Sequence, residues 1–239
     1  MTSYFLEQAD QIDLSGFYPD PHPESAGNGW IRANFATAVN GVVKVDGQSQ
    51  AVSGPPDRII FNYLRNHCNA ILVGASTARK ENYGVPQLNP DTHARPRLVV
   101  VTNSMNIPRN SKFLNQEHPP LIVTSAKSYE SNMDEIYSIG DMAEFVRLGD
   151  ETVDLSKIKA LLSSINLTSI LCEGGPSLFS QLLSLKLINE LCLTISPKIA
   201  GGKPTGIAEL PPDLTIEMKL ASKLSIEDFQ FCRYIPKYE

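Results

Sequence analysis

Two short stretches of this 239-residue chain carry residue types that could hold a ligand and act on it. The first runs Ile71-Leu72-Val73-Gly74-Ala75-Ser76-Thr77-Ala78-Arg79, and the second Ile170-Leu171-Cys172-Glu173-Gly174-Gly175-Pro176-Ser177-Leu178. Each is an apolar run of strand length that breaks at glycine and opens a helix. In an open parallel sheet, ligands bind beyond the carboxyl ends of the strands. Glycine there lets backbone approach a ligand, and the helix that follows offers unpaired N–H groups to a phosphate. The second stretch is the better anion cradle, with Gly174 and Gly175, then Pro176 at the first helical turn and the Ser177 hydroxyl. It is not a Walker loop, since no Gly-Lys-Ser/Thr follows, and it lacks G-x-G-x-x-G spacing. One glycine pair alone would more often be a tight turn. Two such junctions in one sheet make a ligand site and plain turns equally good explanations.

Glu173 closes the second strand just ahead of the glycines, so its carboxylate should face the crevice; a carboxylate solvated at the sheet edge is the plain alternative. Asp57 and Glu81 have weaker claims and read as charges at helix starts, where the dipole favours them. His22, His67, His93 and His118 lie in polar or proline-rich surroundings without a serine or acid in triad-like context, and read as solvated surface. The cysteines at 68, 172, 192 and 232 have no short spacing, so no zinc site is expected. They read as buried, inert thiols, small hydrophobes in apolar runs.

The elements that must position these residues follow from hydrophobic period and turn chemistry. Trp30–Val39, β-rich and small, reads as a strand, and apolar runs of strand length predict others at Ala70–Val73, Arg97–Thr102, Leu121–Thr124, Phe145–Leu148, Ile170–Cys172 and Leu191–Ile195. Asn40-Gly41 and Asp46-Gly47 read as tight turns. Ser53-Gly54-Pro55 opens a helix with Ile60, Leu64 and Cys68 on one buried stripe. Further helices are expected over Leu155–Ile165 and Pro176–Leu187, and residues 214–235 read as two antiparallel strands. Buried strands alternating with amphipathic helices indicate a mostly parallel α/β sheet covered on both faces, extended at one edge by the antiparallel tail. Residues 1–29 read as an N-terminal arm and a Pro/Gly-rich linker, and 30–239 as a single domain.

The bulk numbers narrow the partners. A net charge of −5, with the 21 basic residues scattered, argues against a nucleic-acid surface. No apolar stretch approaches the roughly 18 residues of a membrane span. Reduced cysteines and the lack of a signal peptide point to the cytoplasm.

The run from Ala33 to Gly41 (ANFATAVNG), the segment SGPP…LR, the run ILVGASTAR, and CEGGPSLFSQLL…LINELCLTISPKIAGG together resemble the riboflavin-biosynthesis pyrimidine reductases. These are the reductase half of bifunctional deaminase–reductases, with a dihydrofolate reductase-like fold. The resemblance spans about residues 30–235. It implies an NADPH-dependent reductase that converts the ribosylamino side chain of a phosphorylated aminopyrimidine to ribitylamino, and a homodimer. It places Ala36, Gly74, Ser76, Thr77, Glu81 and Ser104 on the cofactor, and Gly174, Gly175, Pro176, Ser177 and Leu178 around its pyrophosphate. Ser49, Arg65 and Glu173 match substrate-facing positions, Arg65 being suited to the phosphate. The sequence itself offers Lys127 and Arg79 as partners for a 2′-phosphate. Departures from the family are Asn40 where an aspartate is usual, Glu81-Asn82-Tyr83 in place of an acid-acid-proline run, and Leu88 near a common arginine. They fall on the substrate side and keep two rivals open: a dihydrofolate or pterin reductase-like enzyme, and a non-catalytic NADP-binding protein. The zinc signature of a deaminase half, H-x-E with P-C-x-x-C, is absent, which predicts a stand-alone reductase.

Overall fold

The computed structural model describes residues 3–6, 13–20, 29–201 and 206–238. Its strands are β1 (Ser3–Leu6), β2 (Trp30–Ala38), β3 (Ala70–Gly74), β4 (Arg97–Val101), β5 (Leu121–Thr124), β6 (Glu144–Arg147), β7 (Ser169–Cys172), β8 (Glu190–Ser196), β9 (Glu217–Ile226) and β10 (Phe229–Lys237). The helices are α1 (Pro55–Asn66), α2 (Ala75–Lys80), α3 (Ala126–Ser131), α4 (Met133–Ile139), α5 (Ile158–Ser164) and α6 (Pro176–Ser184). All ten strands form one sheet in the order β1-β9-β10-β8-β2-β7-β3-β4-β5-β6. Pairing is parallel from β8 through β2, β7, β3, β4 and β5 to β6. The expected hairpin of β9 and β10 adds antiparallel pairing beside β8. It does not form the edge, because β1 pairs parallel to β9 outside it.

Successive residues of the central strands feed opposite layers, as a period of two requires. Ala70 and Leu72 join Ile158 and Leu162 of α5 and Phe179 and Leu182 of α6 on one face. Ile71 and Val73 join Met105, Phe113, Ile136 and Ile139 on the other. Ile60 and Leu64 of α1 pack on that second face against Leu171, Cys192, Phe229 and Phe231, together with Leu14 and Tyr18 of the N-terminal arm. Of the arm and linker expected over 1–29, residues 1–2, 7–12 and 21–28 lie outside the described residues.

Several boundaries differ for local reasons. The helix expected over Leu155–Ile165 begins as a 3-10 turn, Leu155–Lys157, capped by the Asp154 carboxylate. α6 stops at Ser184, three residues early. The Phe145–Leu148 strand starts one residue sooner, as a half-exposed edge strand whose outward residues are polar. The short helices α3 and α4 were not anticipated; the Ser125 side chain caps the first by accepting from the Ser128 N–H. Cys68 falls past the end of α1 and is only half-buried. His67, expected as surface, is half-buried at that helix end, with Nδ1 2.8 Å from the Tyr63 carbonyl and its ring stacked on Tyr63. His93 and His118 are exposed, and His22 lies outside the described residues.

The topology creates one switch point. After β2 the chain lays down β3, β4, β5 and β6 on one side, then returns to insert β7 between β2 and β3. The carboxyl ends of β2, β7 and β3 therefore lie side by side, which is where such sheets bind ligands.

Candidate active site

A cavity of about 820 Å³ opens at those carboxyl ends. Its floor is Asn34, Phe35 and Ala36 of β2 with Glu173, Gly175 and Pro176 after β7. One wall is a face of α1, including Asp57, Arg58, Phe61, Asn62 and Arg65; the opposite wall is the segment from Glu81 to Leu88 after α2.

The two glycine junctions meet there through backbone. The Gly74 N–H donates to the Gly174 carbonyl at 2.8 Å, and the Glu173 N–H to the Leu72 carbonyl at 3.0 Å, which carries the β7–β3 ladder past the strand end. Gly174 has φ +77°, and a Cβ on it would meet the Phe35 ring at 2.7 Å. A Cβ on Gly175 would lie 2.6 Å from the Thr77 hydroxyl and 3.6 Å from the Lys44 ammonium. A side chain fits at neither position. The peptide between Gly174 and Gly175 is cis.

Glu173 is buried and takes three hydrogen bonds. The Arg65 guanidinium donates from Nε to Oε1 at 2.7 Å and from Nη2 to Oε2 at 2.8 Å, and the Tyr83 hydroxyl donates to Oε2. Arg65 also lies over the Phe61 ring, 4.2 Å from its centroid, and 5.4 Å from that of Tyr83. Burial pulls the Arg65 guanidinium down, and the adjacent Glu173 charge more than reverses it, so its pKa is raised overall. Burial and the same carboxylate push the Tyr83 phenol well above its usual range, which keeps it a neutral donor. A carboxylate offers about four acceptor positions. Three are taken from within the chain, which fixes the orientation of this cavity-lining carboxylate and leaves one acceptor position unused.

Of the residues expected on a cofactor or substrate, Ala36, Ser49, Arg65, Thr77, Glu81, Glu173, Gly175 and Pro176 line this cavity. Ser76, Ser104 and Ser177 are exposed along the same edge of the sheet, outside the cavity, and Gly74 and Gly174 join it to that edge. Leu178 is buried in the core under α6, so its contribution there is packing. Glu81 was read as a helix-start charge, but it caps the carboxyl end of α2, where the dipole does not favour an acid. What holds it is the Ser49 N–H, which donates to its carboxylate at 2.9 Å. Asp57 does sit in the first turn of α1, buried, accepting the Ser53 hydroxyl at 2.5 Å. Neither proposed partner of a 2′-phosphate is free. Arg79 donates to the Asn106 carbonyl, and exposed Lys127 pairs with Glu151.

Among the cavity residues that sequence reasoning passed over are Asn34, Lys44, Arg58 and Asn62. Asn34 leaves its buried Oδ1 without a hydrogen-bond partner in the cavity floor, an acceptor for a bound ligand. Asn34 is the one amide in β2, but Arg32 and Thr37 stand in the same strand, so polarity alone did not single it out. Lys44, Arg58 and Asn62 stand on a loop and an exposed helix face, where nothing in the pattern marks them. Asn40 gains a reason too: its amide donates to the Ala200 carbonyl at 2.8 Å and accepts from the Ala200 N–H, a pairing an aspartate could only half make. Burial pushes the Cys68 and Cys172 thiols up to about 12 and Cys192 higher, against any nucleophilic role. Among the described residues no acid, histidine and cysteine cluster is arranged to hold a metal, and no helix is long and apolar enough to cross a membrane.

A mostly parallel sheet with an appended hairpin, and a cavity beside two glycine junctions at its switch point, give the chain the dihydrofolate reductase-like fold. The chain belongs to the family described as the RibD C-terminal domain, whose model matches residues 29–228. A relative from Methanothermobacter thermautotrophicus, named 2,5-diamino-6-ribosylamino-4(3H)-pyrimidinone 5′-phosphate reductase, is 27% identical over 80% of this chain and 91% of its own. The solved pyrimidine reductase-like protein of Corynebacterium diphtheriae is 25% identical, with a TM-score of 0.77 over 94% of this chain and 98% of that one. Dihydrofolate reductase from Enterococcus faecalis, solved with NADP(H), shares the fold alone, at 13% identity and a TM-score of 0.52 over 88% of this chain and 98% of its own.

Proposed function

We propose that this chain is a cytoplasmic, homodimeric, NADPH-dependent reductase of riboflavin biosynthesis. Its substrate is the 5′-phosphate of a ribosylamino-pyrimidine, in the diamino-pyrimidinone form carried by its relative's name or in the aminouracil form. The observation that carries the reading is the pre-set Glu173 acceptor beside the two glycine junctions, in a cavity large enough for a substrate and the reactive end of a dinucleotide.

The residues present fit such a cofactor. Gly74, Gly174 and Gly175 let backbone come close, Thr77 and Lys44 flank Gly175, and Ala36 lies in the cavity floor. Ser76, Ser104 and Ser177 offer hydroxyls along the edge that the rest of the dinucleotide would follow. When bound, a reduced nicotinamide would supply the hydride for reducing the ribosylamino group to ribitylamino. This chain's residues orient the two partners. The free acceptor position of Glu173 and the orphan Oδ1 of Asn34 take N–H or O–H donors of the substrate, and Phe61, Tyr83 and Leu88 screen water from it.

The test is a spectrophotometric assay of NADPH oxidation with both pyrimidine forms, run beside NADH and dihydrofolate. Turnover of either pyrimidine with NADPH is the expected result. Folded protein that binds NADPH yet oxidises it with neither form would end the reading, and turnover of dihydrofolate alone would replace it.

A further inference from the structure

We propose that Arg58, with Asn62 one turn further along α1, grips the substrate's phosphate; this rests on the reductase reading above. Three cations face the cavity: Lys44, Arg58 and Arg65. Arg65 is the natural first choice, because its planar fork matches a phosphate. Its charge is already matched by the buried Glu173 carboxylate, and a phosphate docked on it would lie beside that negative group. Lys44 stands against Gly175, between the glycine junctions, where the cofactor's own phosphates pass in the proposed arrangement.

Arg58 is the cation left over. It is exposed in the first turn of α1, and its guanidinium has no hydrogen bond or ion pair among the described residues. The neighbouring acid, Asp57, is buried and accepts the Ser53 hydroxyl, and Glu81 is held by the Ser49 N–H. Neither therefore competes for Arg58 as a salt-bridge partner. Arg58 lies seven residues before Arg65, roughly 10 Å along the helix and on nearly the same face. That separation suits a heterocycle held at Glu173 with a phosphate at the far end of its ribose. Asn62, four residues on from Arg58 and on the same wall, adds an amide donor.

The experiment compares kcat/KM for the phosphorylated substrate with that for its dephosphorylated form, so that the ratio isolates what the phosphate contributes. Arg58→Ala is expected to lower that ratio by about ten- to a hundredfold, the range of one charge-assisted hydrogen bond. Arg58→Lys should recover part of it, since charge returns without the fork. An unchanged ratio in Arg58→Ala, or a collapse in Lys44→Ala instead, overturns the assignment. If the wild-type protein reduces neither form, the reductase reading falls, and Arg58 is then judged by calorimetry with ribose 5-phosphate. Binding that weakens about tenfold in Arg58→Ala keeps the proposal. Equal binding, or none by either protein, ends it.

Discussion

Replacing Glu173 by glutamine keeps the side chain's shape and removes the charge that answers Arg65. The consequences fall on stability and on turnover, and the geometry separates them. The Glu173 side chain is 3% exposed and that of Arg65 25%, so the orphaned guanidinium is partly screened by water. The loss of folding stability is accordingly expected at about 1–3 kcal/mol, below the figure for a fully buried pair. Glutamine also offers one acceptor oxygen where Arg65 and Tyr83 need two, so the acceptor left for the substrate is lost or reoriented. A ten- to hundredfold fall in kcat/KM follows, with NADPH affinity within a few-fold of wild type. Thermal melts, turnover and cofactor titration check the three parts. A variant that loses NADPH and keeps its substrate would place Glu173 on the cofactor instead. The aim of this carboxylate was legible in the sequence, because residues that end a parallel strand face the crevice. Its partners were not, since Arg65 is 108 positions away and Tyr83 is 90.

At the scale of elements, the start of α1 shows how a correct reading can rest on part of the reason. Ser53-Gly54-Pro55 predicts a helix start, and Gly54 is the N-cap, but it makes no side-chain cap bond and its φ of −169° suits any residue. The demand for glycine is tertiary. A Cβ there would lie 2.5 Å from Cζ of Phe229, the ring of β10 on which the helix start rests. Gly54→Ala is therefore expected to cost about 1–3 kcal/mol by overpacking, and Phe229→Leu in the same chain to relieve part of that strain. Denaturant unfolding of the single and double variants measures the coupling; strictly additive effects would show that helix and hairpin do not press on each other here. The same division runs through the fold. Buried parallel strands announced themselves by unbroken apolar runs, and both glycine junctions by composition. The short α3 and α4 did not, because helices of six and seven residues are held by packing and a serine cap more than by their own periodicity. Glu81 was misplaced for a related reason: the helix before it has only six residues, and sequence does not reveal on which side of so short an element an acid will fall.

Across the whole molecule the cavity at the carboxyl ends of the strands is balanced by an ionic clasp near their amino ends. Glu190, at the start of β8, is fully buried and takes the Arg32 guanidinium of β2 on Oε1 and that of Arg233, from β10, on Oε2 at 2.8 Å. The Trp30 indole adds a donor at 3.3 Å, and Arg32 also donates to the Pro19 carbonyl at 2.6 Å, which ties the N-terminal arm to the sheet. Two central strands, the hairpin and the arm thus share a single negative charge. None of these five residues lines the cavity. Glu190→Gln would leave two neighbouring guanidinium groups without that charge at side-chain exposures of 6% and 14%. Breaking a buried pair by removing one partner costs about 3–5 kcal/mol. A loss of that order should appear in urea unfolding, followed by the fluorescence of Trp30, the only tryptophan and itself a member of the cluster. The folded fraction should retain the wild-type kcat/KM, because the clasp and the cavity act at different ends of the strands. A variant of wild-type stability would show that the three strands and the arm are held by apolar packing alone. One that stays folded but loses turnover would show that strain at the amino ends of β2 and β8 reaches the floor formed by Asn34 and Ala36, two and four residues beyond Arg32.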